Sequence, residues 1–107
     1  MYLGTINLTG EYQEIFTALG VDGEISMQYA LLNNGNTPVH LIDIEEYKGF
    51  DEEANTFFVP AEMQDKALTI LAPGEGTVYV HGDNFRCFAK GQGALTVARR
   101  TNYGLMT

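Results

Sequence analysis

The chain has 107 residues, a hydrophobic content of 45% and a formal net charge of −8. That length suits one domain, expected over residues 1–107, and the hydrophobic content excludes a disordered chain. The acidic balance argues against nucleic acid, whose phosphates require lysine and arginine, and no apolar run is long enough to span a membrane.

The opening stretch, Met1 to Gly10, has neither the basic region nor the apolar run of a signal peptide. The protein is therefore expected to stay where it is made, or to leave by lysis or assembly. Turn signals then recur along the chain: Thr9-Gly10, Gly20 to Gly23, Asn33 to Asn36, Lys48 to Asn55, Pro60 to Lys66, Pro73 to Gly76, Gly82 to Asn84 and Gly91 to Gly93. Glycine and asparagine tolerate positive φ and proline presets its own, so these residues punctuate a chain of short strands.

Between the turns the residues alternate, which is the strand period. "YQEIFTAL" is read as a strand with Tyr12, Phe16 and Ala18 on one face and Ile15 and Leu19 on the other, although Tyr12, Ile15, Phe16 and Leu19 also sit at helical offsets. "EISMQYALL" places Ile25, Met27, Tyr29 and Leu31 together. "PVHLIDIEE" puts His40 on the face of Ile42 and Ile44. The connection "KGFDEEAN" is expected to cross between sheets, and "NTFFVP" sends Phe57 and Phe58 to opposite faces. Pro60 opens a short helical turn before "ALTILA" resumes as a strand. "TVYVHG" sets Val78 and Val80 against Thr77, Tyr79 and His81. "NFRCFAKG" opposes Phe85, Cys87 and Ala89 to Arg86, Phe88 and Lys90, and "GALTVARR" opposes Leu95 and Val97 to Thr96 and Arg100. The expectation is an all-β fold: a single-domain antiparallel β-sandwich of about eight strands, jelly-roll or Ig-like Greek key, between which pattern does not choose.

Reactive chemistry finds little support. Paired histidines followed by a glutamate would make a cupin-like metal site. Here His40 is followed by Glu45 and Glu46, and His81 follows a proline-glycine turn, but Ile42 stands where the second histidine belongs. His81 is read as an exposed residue at a hairpin tip. The one serine, Ser26, has no nucleophile elbow around it. The one cysteine, Cys87, forms no internal disulfide and is read as a small buried hydrophobe. The carboxylates at 51–53 read as a solvated loop, and "GQG" at 91–93 as a turn. Catalytic residues, metal and cofactor are accordingly expected to be none.

Charge is uneven: residues 1–65 hold twelve acids and one base, residues 66–107 two acids and five bases. Complementary edges of this kind favour head-to-tail self-association, closing into a ring such as a trimer.

Two longer stretches carry a resemblance. "LTGEYQEIFTALGVDGEISMQYALLNNG" reads as paired strands around a glycine turn. "ILAPGEGTVYVHGDNFRCFAKGQGALTVARR" reads as a proline-glycine-glutamate turn, a valine-tyrosine strand, an aromatic-cysteine strand and a closing strand. In style the chain resembles the small all-β accessory proteins of tailed-phage virions, of the capsid decoration (cement) type. The resemblance implies a non-enzymatic protein made in the host cytoplasm that joins the virion, binds the outer capsid surface and reinforces capsomer junctions. Its partners would be the major capsid protein or another virion protein, and copies of itself, with a trimer favoured. Arg86, Lys90, Arg99 and Arg100 would meet acidic patches on the shell, and Phe57 and Phe58 would serve as apolar anchors. The same bases also read as ordinary strand-edge solubility. Two other readings stay open: a carbohydrate- or receptor-binding module of a phage tail, and a small cupin-like metal-binding protein using His40 and His81.

Overall fold

The computed structural model describes residues 2–21, 28–80, 82 and 84–100, with Arg100 described by its backbone alone. His81, Ser26 and the Arg100 side chain therefore lie outside the described residues. The described elements are β1 (Tyr2–Asn7), β2 (Gln13–Glu14), α1 (Ile15–Leu19), β3 (Gln28–Asn33), β4 (Val39–Glu45), β5 (Phe50–Asp51), β6 (Thr56–Phe57), β7 (Thr69–Leu71), β8 (Gly76–Val80), β9 (Phe85–Lys90) and β10 (Ala94–Arg100). Short 3-10 turns cover Glu46–Lys48 and Ala61–Met63.

Eight of these strands form two four-stranded sheets. The first has the order β1-β10-β3-β8 and the second β2-β9-β4-β7. Every neighbouring pair is antiparallel. The fold is all-β and sandwich-like, and alternation explains its core. Tyr29 and Leu31 of β3, and Leu95 and Val97 of β10, are buried on one side. Val39 and Leu41 of β4, with Cys87 and Ala89 of β9, are buried on the other, all in one cluster. Each large apolar side chain taken fully out of water contributes about 1.5–3 kcal/mol.

Strand β4 is apolar on both faces, and one inter-sheet core can cover only one of them. Ile42 and Ile44, with Phe88 of β9, face the other way and are buried in a second cluster with Val59; Tyr12, Phe57 and Met63 pack against it. The cover is the chain between β4 and β7, which carries the β5–β6 hairpin and both 3-10 turns. This corrects the expected crossover at Lys48–Asn55. Strands β4 and β7 are neighbours in the same sheet, so the segment is an excursion laid over that sheet's outer face. The excursion closes where Phe58 N donates to Gly49 O at 2.8 Å. A side chain at Gly49 would collide with the Phe58 carbonyl, so the closure requires glycine.

Residues 15–19 form a helix, which corrects the strand expected there. The Glu14 carboxylate caps it, accepting from Phe16 N at 2.9 Å and Thr17 N at 3.0 Å. Gly20, at φ +70°, ends it in the left-handed conformation, its N–H bonding the Phe16 and Thr17 carbonyls. Ile15 and Phe16 are both fully buried. Consecutive strand residues point to opposite faces, so the expected split of Ile15 from Phe16 fails and the helix keeps both in the core. The turn after Pro60, and a strand following it, appear as expected.

Candidate functional site

Strand β7 pairs with β4 only at Val39–Leu71, His40–Ile70 and Leu41–Thr69. The last bond on this flank runs from Leu68 N to Leu41 O at 2.9 Å. Beyond Leu41, β4 has no strand partner on that side among the described residues. In the other sheet the edge strand β8 continues to Val80. The two sheet edges therefore part, and a cleft of about 130 Å³ opens between them. Buried Leu31, Leu41 and Cys87 line its deeper side, and exposed Leu68 and Val78 its rim.

Two polar side chains meet in this cleft. Asp43 comes from the inward register of β4, in line with Val39 and Leu41, and Tyr79 from the inward register of β8. The Tyr79 hydroxyl donates to Asp43 Oδ1 at 3.1 Å. Burial raises the Asp43 carboxyl above its usual range, and the hydrogen bond from Tyr79 partly offsets this. Burial, reinforced by Cys87 and Asp43, drives the Tyr79 phenol far upward. Cys87 is also raised, first by burial and then by Asp43 and Glu14, so its thiol stays protonated. Asp43 is the acidic residue lining the cleft, and among the described residues no basic side chain forms an ion pair with it. Chemically the arrangement is an acceptor for a cationic or proton-bearing group, with no activated thiol. A larger hollow of about 530 Å³ lies at the end of β4. It shares Asp43 and is walled by Glu45, Tyr47, Glu62 and Phe85.

The residues expected at an interface divide into groups. Arg86 Nε donates to Glu46 Oε2 at 2.7 Å, its Nη1 lies 3.5 Å from Glu14 Oε1, and its guanidinium sits 4.3 Å from the Phe57 ring centre. The Lys90 ammonium lies 4.8 Å over the Tyr12 ring. Phe57, half-buried, packs on Phe50 at 5.0 Å. Phe57, Arg86 and Lys90 are thus drawn together at the outer face of the second sheet, where the excursion is fastened. Phe58 points outward and is 44% exposed, as the alternation of "NTFFVP" requires. Arg99 lies in the other sheet, opposite Tyr29, apart from this group. His40 shares the outer face of β4 with Ile42 and Ile44, in register with Lys90. Among the described residues no group of three or more His, Cys, Asp or Glu could hold a metal ion.

Sequence reasoning missed Asp43 and Tyr79 as a pair. The available signal was a charged residue in the core-facing register of "VHLIDIE", where alternation calls for an aliphatic.

Apolar residues are also exposed around the cleft, Ile70 on the outer face of the second sheet and Leu32, Val78 and Val80 on that of the first. Leu32, Leu68, Ile70, Val78 and Val80 are all exposed, Leu68 to 74%. Neither β7 nor β8 contains a charged residue. Compared with known proteins, the chain matches no family model, no curated protein and no solved structure.

Proposed function

We propose that this chain is a non-enzymatic assembly protein of the virion-decoration type, docking on the outer surface of a protein shell and on copies of itself. The observation that carries the reading is that the edge strands β7 and β8 contain no charged residue and expose Ile70, Val78 and Val80. Edge strands of proteins that stay monomeric are commonly defended by lysine, proline or a bulge. Strand β8, "GTVYV", has none of these, and its outward valines share the outer face of the first sheet with Leu32. In a chain of net charge −8, edge strands that carry no acid of their own are where a copy can approach with less repulsion than elsewhere. Tyr47, Phe50 and Phe58, exposed on the excursion, offer a second apolar surface for the shell.

The strand order supports a jelly-roll reading over an Ig-like one. Numbered by position among the eight sheet strands, the orders are 1-8-3-6 and 2-7-4-5. The pairs 1·8, 2·7, 3·6 and 4·5 nest as one long hairpin rolled into two sheets. Jelly rolls of this kind are used by viral shell and lectin domains, and fold alone does not choose between such roles. The test is sedimentation of the protein from its native source. Recovery with a large assembly at a fixed copy ratio supports the reading, and recovery only among slowly sedimenting proteins contradicts it.

A second reading, a carbohydrate- or receptor-binding module, draws on the larger hollow at the end of β4. Exposed Tyr47 and the carboxylates Glu45 and Glu62 border it, and its size falls within the range of ligand sites. Binding on a glycan array that is lost in Tyr47→Ala would favour it.

A further inference from the structure

We propose that the cleft between the edges of β7 and β8 binds a primary ammonium group carried on a short aliphatic chain, with Asp43 as its counter-ion. The proposal stands whether or not the chain assembles on a shell.

The argument begins with the cost of Asp43. The side chain lines the same cleft as Leu31, Leu41, Leu68 and Val78, with Tyr79 as its hydrogen-bond donor. No described cation balances it. A half-buried carboxylate without a counter-ion opposes folding, and an aliphatic there would pack better. Such local contradictions concentrate at functional sites. With no described side chain to supply it, the balancing positive charge is assigned to a ligand entering from outside.

The walls select which one. A divalent metal takes about six or more oxygen ligands, and one carboxylate with a phenol falls well short. A guanidinium needs clear space beside both carboxylate oxygens for its planar fork, and the Tyr79 hydroxyl already takes part of the space at Oδ1. A compact point charge at Oδ2, which is what an ammonium offers, needs no such clearance. Thr69 and Thr77, both in inward registers and both lining the cleft, supply hydroxyl oxygens for its remaining N–H groups. The volume of about 130 Å³ equals roughly four waters at the ~30 Å³ each occupies in the liquid. An ammonium with three or four methylene groups fits that space and lays its chain against the leucines. A free alkylamine and the side chain of a lysine on another protein share this chemistry.

The experiment titrates n-butylammonium into the intact protein while following the methyl NMR signals of Leu31, Leu41, Leu68 and Val78. Those signals are expected to shift saturably, whereas n-butanol, which keeps the chain and lacks the charge, leaves them in place. Asp43→Asn keeps the shape and an acceptor for Tyr79, and is expected to weaken binding about tenfold or more, the loss of one charge-assisted contact. A lysine-containing extended peptide run in parallel identifies the source. Tighter binding than butylammonium assigns the site to a protein lysine, and weaker binding assigns it to a free amine; either supports the site. Unshifted methyl signals in the wild-type protein, an equal response to butanol, or equal affinity in a folded Asp43→Asn variant would overturn it.

Discussion

The Asn33 side chain holds three backbone groups. It is fully buried. Its Nδ2 donates to Thr37 O at 2.8 Å and Leu71 O at 3.0 Å, and its Oδ1 accepts from Gly35 N at 2.9 Å. One residue at the end of β3 thus ties the following loop to β7 in the other sheet. Asn33→Ala would leave these backbone groups unpaired, and we expect a loss of about 2–3 kcal/mol in urea unfolding. Asp43 acts in the opposite sense. Its folded-state pKa lies above its unfolded value, so in that interval the folded protein holds more protons than the unfolded chain. Its contribution therefore favours folding most when it is protonated, and declines as pH rises from the unfolded pKa through the folded one. Asp43→Asn is expected to raise the melting temperature at neutral pH and leave it nearly unchanged at acid pH. Thermal melts across the acid range, compared between the two proteins, check the sign.

At the scale of elements, the strands were legible and the exceptions to alternation were not. β3, β4, β9 and β10 follow period two because one side of each faces the inter-sheet core. The helix at Ile15–Leu19 escaped because its N-cap is glutamate, a weak capping signal, and because Ile, Phe and Thr favour strands. "ALG", with Gly20 ending the helix, was the cue that opposed them. The excursion escaped because alternation describes a strand and not what covers it. Its trace was the apolar residues on both faces of "VHLIDI", the sign of a strand buried on two sides. Arg86 fastens the excursion and also neutralises Glu14. Arg86→Met should cost about 2 kcal/mol and speed hydrogen exchange across residues 50–64, while β3 and β10 stay protected. Tyr12 offers the converse test. Its hydroxyl is buried without a hydrogen-bond partner, so Tyr12→Phe should be neutral or stabilise by up to about 1 kcal/mol in the same urea assay.

At the scale of the molecule, the uneven charge of the sequence is partly resolved within the chain. Arg86, from the basic final part, is paired with Glu14 and Glu46, from the acidic first part. What reaches the surface as a distinctive feature is the side of the edge strands β7 and β8, whose own residues are uncharged and which expose Ile70, Val78 and Val80. That side was not legible beforehand, because the alternation of "TVYV" leaves open which face meets the core. The structure turns Tyr79 and Thr77 inward and leaves the valines outside. The measurement that tests the assembly account most directly is sedimentation velocity on the purified protein across the micromolar range, beside Ile70→Lys/Val78→Lys, whose substitutions lie on exposed positions. The account predicts a defined oligomer, a trimer on the ring reading, for the wild type and a folded monomer for the variant. A wild-type protein that stays monomeric throughout, or a variant that associates just as well, would contradict it.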